Sequence, residues 1–227
     1  RRWLNQGQLP PEDAVRVEEF INYFGYDYPS PQNQQQPFQV STAMAPTPWN
    51  PDTRLLRIGI QGYEVPKSQL PPSNLVFLID VSGSMNSADK LPLLQQALSM
   101  LVGQLDARDS ISMVVYAGAS GVVLPPTHGN RKADILTALQ QLSAGGSTNG
   151  AAGIQLAYQM AQQGFIKNGI NRVILATDGD FNVGLASTEE LIDLIQRKRD
   201  AGIALTTLGF GSGNYNDHLL EQLADEG

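Results

Sequence analysis

No cysteine occurs in the chain, which removes disulfides, thiolate zinc sites, iron–sulfur clusters and cysteine nucleophiles. Histidine is nearly as scarce. His128 follows two prolines and His218 stands among acids; neither has a partner at ligand spacing, so both are assigned structural or solvent-facing roles. Basic residues are in the minority, 15 Lys and Arg against 22 Asp and Glu, for a formal net charge of -7. That field repels phosphate backbones and anionic membrane surfaces and excludes nucleic acid as the first choice of partner. Long apolar runs are missing too: stretches such as Leu75 to Ile79 and Met113 to Ala117 fall far below the ~18 residues needed to span a bilayer. No membrane insertion is expected of this segment. It begins with Arg1 and Arg2, so a leader belonging to a longer precursor would lie outside it.

What is present fits an ordinary globular core, with 41% hydrophobic and 16% charged residues. At roughly 150 residues per domain, 227 residues make one full domain and a smaller piece. The smaller piece is residues 1–72, which hold both tryptophans, most of the prolines and the run Gln34 to Gln36. Within it, Pro10 to Phe24 reads as a helix, with prolines at the entrance and Val17, Phe20, Ile21 and Phe24 sharing a face. The aromatics Phe20, Tyr23, Phe24, Tyr26 and Tyr28 are expected to pack onto the neighbouring domain. Phe38 to Ala43 and Leu55 to Tyr63 read as a β-hairpin around the long turn APTPWNPDT, able to extend a larger sheet. Trp49 in that turn is a weak candidate for an exposed contact.

Residues 73–227 have a different rhythm. Short apolar runs at Leu75 to Asp80, Ser112 to Tyr116, Arg172 to Thr177 and Ala204 to Leu208 lack strict alternation, as strands buried on both faces do. Val122 to Leu124 is a short edge candidate. Helical periods lie between them at about Lys90 to Gln104, Arg131 to Leu142, Gly150 to Gln163, Thr188 to Ala201 and Tyr215 to Asp225. The expected fold class is α/β, a doubly wound, mostly parallel sheet with flanking helices.

Chemistry concentrates where the first buried strand ends, at Asp80-Val81-Ser82-Gly83-Ser84. In an extended or gently turning backbone, residues i, i+2 and i+4 point the same way, so Asp80, Ser82 and Ser84 converge. Thr177-Asp178-Gly179 delivers a second carboxylate to the same edge of the sheet, and Thr148, in the glycine-rich loop Gly145 to Gly150, can reach that rim. Open α/β sheets place ligands at this edge. Two carboxylates and three hydroxyls suit a hard cation such as Mg²⁺, with Ca²⁺ or Mn²⁺ left open. Neutral hydroxyls leave much of the cation's charge unquenched, so an Asp or Glu of a protein ligand can complete the shell. Asp180 and Asn182 are secondary candidates for lining that surface.

Other readings compete. Ser82 and Ser84 can act as hydroxyl caps of a turn, and Thr148 can cap the helix that follows it. A metal-braced structural scaffold remains an alternative, and a metal-dependent phosphohydrolase a remote one. The sequence offers no G-x-x-x-x-G-K-[ST] loop, G-x-S-x-G elbow, H-E-x-x-H helix or second acid in the D-x-S motif, so an enzyme is not expected.

The ordered set D-x-S-x-S, a distant Thr in a glycine-rich loop and T-D-G resembles the metal-ion-dependent adhesion site of von Willebrand factor type A domains, over roughly Asn74 to Gly227. The strings NLVFLIDVSGSM, AGGSTNGAAGIQLAY and NRVILATDGDFNVG are similar to the bacterial exported members, in which an N-terminal segment like residues 1–72 precedes the domain. The resemblance implies that Ser82, Ser84 and Thr148 contact the metal directly or in one of two states, and that Asp80 and Asp178 bind it mainly through water. It also implies a periplasmic or cell-surface location, and a further strand and helix beyond residues 225–227.

Overall fold

The structure, a computed structural model, describes residues 2–10, 17–66, 69–146, 150–179, 188–211 and 217–227. The chain forms two compact units, Arg1–Leu70 and Pro71–Gly227.

In the first unit, α1 spans Arg2–Asn5 and α2 spans Val17–Tyr23; residues 11–16 of the expected helix lie outside the described residues. Strands β1 (Phe38–Thr47) and β2 (Asn50–Gly62) pair antiparallel, with Phe38 opposite Gly62 and Thr47 opposite Asn50. The connection is therefore much tighter than the long turn expected, and the irregularity it needs falls between Pro46 and Thr47. A two-stranded sheet gives each strand an open edge, where a residue without an N–H costs no ladder hydrogen bond. The pair forms a sheet of its own, contrary to the expectation that it extends a larger one. Phe20, Tyr23 and Phe24 stand exposed on this unit. Tyr28 does pack, but within its own unit: it stacks on Tyr26 at 5.2 Å between ring centroids and lies under the Arg57 guanidinium. Gly59 makes room for that ring, since a Cβ there would meet it at 2.5 Å.

In the second unit, five strands lie in the order β5-β4-β3-β6-β7: β3 (Ser73–Asp80), β4 (Ser110–Tyr116), β5 (Ser120–His128), β6 (Ile170–Thr177) and β7 (Ala204–Gly209). All pairings are parallel except that of β5 with β4. The edge strand is longer than the three residues expected, because pairing with β4 resumes at Thr127 and His128 beyond Pro125 and Pro126, which fall in a register shift opposite Ile111 to Met113. Both faces of the sheet are covered. On one, Phe77, Ile79 and Met113 meet α3 (Leu91–Gln104) and α4 (Lys132–Gln140). On the other, Val76, Leu78 and Val173 meet α5 (Gly150–Gln163), α6 (Thr188–Asp200) and α7 (Asp217–Asp225). Each fully buried aliphatic side chain contributes about 1.5–3 kcal/mol.

Local sequence explains the helices. In α3, Leu91, Leu94, Leu98 and Val102 are buried at helical spacing, and Pro92 stands in the first turn, where no N–H partner is lost. In α6, Glu189 and Glu190 open the helix and Arg197, Lys198 and Arg199 close it, matching its dipole.

The order of strands fixes where a ligand can sit. From β3 the chain winds outward through β4 to β5, then returns to β6 on the other side of β3. The loops leaving β3 and β6 therefore diverge at a topological switch point, and Asp80 and Thr177 are the last residues of those two strands.

Candidate metal centre

Asp80 is fully buried and held by three donors. Its Oδ1 accepts from the Ser82 N–H at 2.8 Å, and its Oδ2 from the hydroxyls of Thr177 at 3.1 Å and Tyr116 at 3.4 Å. Burial holds its carboxyl above the ordinary aspartate range, and the charge of Asp178 adds to this; the hydrogen bonds from Ser82 and Thr177 pull the other way. Burial, with the negative Asp80 next to it, pushes the Tyr116 phenol well above its usual value.

Ser82 and Ser84 meet through a tighter turn than the extended or gently turning backbone expected. Ser82 keeps extended angles (φ -61, ψ 162), but Gly83–Asn86 forms a 3-10 turn. That turn brings Ser84 Oγ to 3.0 Å from Ser82 Oγ. Met85, in the same turn, is fully buried and anchors it in the core below. Ser82 is buried and Ser84 faces solvent, so the pair opens outward from the rim.

Asp178 follows β6 directly and is 1% exposed. Its Oδ2 accepts from the Lys90 ammonium at 2.8 Å, and the same ammonium donates to the Ser84 carbonyl at 3.0 Å. The glycine-rich loop is tied to the same turn by two main-chain bonds, Gly145 N–H to Val81 O at 2.7 Å and Gly83 N–H to Gly146 O at 3.2 Å. Thr148 itself, with Asp180 and Asn182, lies outside the described residues. Four of the five candidates, Asp80, Ser82, Ser84 and Asp178, thus stand around one stretch of the rim.

Three further residues belong to this group and were not among the sequence candidates: Thr177, Tyr116 and Lys90. Thr177 had a signal, a hydroxyl next to the carboxylate at the strand end. Tyr116 had none, since it reaches Asp80 across 36 residues of sequence; Lys90 stands six residues after Ser84, but its pairing with Asp178 spans 88.

The donor set fits a hard divalent cation. Two oxygens bound at ~2.0–2.1 Å in adjacent octahedral positions lie about 3 Å apart, as Ser82 Oγ and Ser84 Oγ do. Among the described residues no group of three or more His, Cys, Asp or Glu is gathered for a metal.

Two family models match the chain: von Willebrand factor type A domain over residues 74–227 and von Willebrand factor over residues 1–57. The Escherichia coli (strain K12) protein YfbK is 48% identical over 233 residues, covering 100% of this chain and 40% of its own. The chain thus spans about two fifths of that relative's length. Among solved structures, a von Willebrand factor type A protein from Catenulispora acidiphila superposes with a TM-score of 0.57 at 18% identity, covering 76% of this chain and 39% of that one. Manganese-loaded TRAP protein of Plasmodium vivax gives a TM-score of 0.55 at 20% identity, covering 68% and 63%. These two show the shared fold, a mostly parallel five-stranded sheet between helices. The chain belongs to the von Willebrand factor type A domain family, whose members serve as protein-interaction modules.

Proposed function

We propose that the rim between β3 and β6 binds one divalent cation and, through it, an acidic residue of a protein ligand. Ser82, Ser84 and Thr148 would hold the cation directly, with Asp80 and Asp178 supplying negative charge behind them. The observation that carries the reading is the 3.0 Å pair of serine hydroxyls above two buried carboxylates. Mg²⁺ suits all-oxygen donors with few charges, and Ca²⁺ and Mn²⁺ share that preference; the manganese-loaded TRAP protein has the same fold. Such a cation acts as a Lewis acid toward a carboxylate. The chain's own residues do the remainder: Met85 anchors the turn, Thr177 and Tyr116 fix the Asp80 carboxylate, and main-chain bonds tie Gly145 and Gly146 to the same turn.

The module is read as non-enzymatic, because among the described residues the rim pairs no nucleophile with a general base, and as acting in the periplasm or at the cell surface, as the likeness to bacterial exported members implies. The test is calorimetric titration of Mg²⁺ into the chain and its Asp80→Ala variant. Binding by the parent and none by a folded variant supports the site; equal affinity overturns it. Capture of an acidic protein ligand that chelation reverses supports adhesion, whereas metal-dependent turnover of a phosphoester supports a hydrolase.

A further inference from the structure

Lys90 is placed with more care than a surface lysine needs. Its backbone heads α3, with its N–H donating to Ser87 O at 3.0 Å and its carbonyl accepting from Leu94 N–H at 2.9 Å. Its side chain is 16% exposed and runs past Gly211, where a Cβ would come within 2.5 Å of Lys90 Cε. Gly211 has φ +82, so its backbone and the space above it both favour glycine. This passage leads the ammonium to Asp178 Oδ2 at 2.8 Å and Ser84 O at 3.0 Å.

The electrostatic reason lies in the two carboxylates. Asp80 and Asp178 are 0% and 1% exposed and close enough that the charge of Asp178 raises the carboxyl of Asp80. Buried like charges need compensation. The lysine provides one positive charge: it pairs with Asp178 Oδ2 and engages the carbonyl of Ser84, while the Ser84 hydroxyl stays turned to Ser82.

We propose that the Lys90 ammonium is a built-in counter-cation of this rim, which balances the carboxylates in the metal-free chain and thereby sets how tightly the rim takes a divalent cation. The inference rests on the metal-binding reading above. A divalent ion entering beside Ser82 and Ser84 shares the field of Asp178 with a positive charge already ion-paired to it. The lysine therefore weakens divalent binding and stabilises the chain in the absence of the cation.

The test compares the parent chain with Lys90→Met, Lys90→Gln and Lys90→Arg by Mg²⁺ calorimetry and by thermal melting with and without chelator. Removing the charge in Lys90→Met or Lys90→Gln should tighten Mg²⁺ binding on the order of ten-fold, lower the melting temperature in chelator and enlarge the rise that Mg²⁺ produces. Lys90→Arg, which keeps the charge, should stay closer to the parent than either neutral variant does. Unchanged or weaker Mg²⁺ affinity in the folded Met and Gln variants overturns the role of the lysine and leaves the metal site standing. Absence of Mg²⁺, Ca²⁺ and Mn²⁺ binding in the parent and both neutral variants overturns the metal site itself.

Discussion

The Thr177 hydroxyl donates to Asp80 Oδ2 at 3.1 Å and accepts from the Gly179 N–H at 3.2 Å. This one side chain joins the ends of β3 and β6 and also shapes the turn that carries Asp178. Thr177→Val keeps the volume and removes both bonds. It should cost about 1–3 kcal/mol, because a buried carboxylate loses a donor and a buried N–H its acceptor. Urea unfolding checks the loss, and Thr177→Ser should recover most of it. Mg²⁺ affinity should fall in the Val variant as Asp80 and Asp178 lose their relative placement.

The pH dependence follows from the raised Asp80 carboxyl. Between the ordinary aspartate value and its own higher one, the folded chain retains a proton that the unfolded chain has released. Asp80 therefore favours the fold at low pH, and this contribution is lost as pH rises through that window. In chelator, the stability of the parent relative to Asp80→Asn should decline as pH is raised from about 4 toward neutrality. Denaturant unfolding at several pH values checks this. With Mg²⁺ present the trend should reverse for the parent, since proton and cation compete for the same carboxylate.

Gly153 lies where α5 crosses the sheet beneath the rim. A Cβ there would sit 2.8 Å from Tyr116 Cβ and 3.2 Å from Leu78 Cδ1. Gly153→Ala gains up to about 1 kcal/mol of helix propensity, but the overlap with the core should cost about 1–3 kcal/mol. A net loss in urea unfolding is expected, together with weaker Mg²⁺ binding because Tyr116 is displaced from Asp80. Gly103, in α3, has open space above it, so Gly103→Ala should instead raise stability.

The buried strands were plain in the sequence. Leu75 to Asp80 and Arg172 to Thr177 fall inside β3 and β6, since strands covered on both faces are apolar without interruption. The edge strand and the hairpin turn were not. Ser120–His128 and the strand residues around Pro46 and Pro51 are held by main-chain pairing that side-chain pattern hardly reports.

The site divides in the same way. Asp80, Ser82 and Ser84 lie within five consecutive residues, so local backbone geometry was enough to group them, and the end of a second apolar run was enough to add Asp178. Sequence alone thus determined which oxygens are on offer and at which edge of the sheet. Tertiary structure decided their electrical state: Lys90 meets Asp178, and Thr177 and Tyr116 meet Asp80, through contacts 88, 97 and 36 residues apart. The physical reason is range. A turn is specified by neighbours along the chain, whereas compensation of a buried charge depends on whatever the packed strands and helices bring within hydrogen-bond distance.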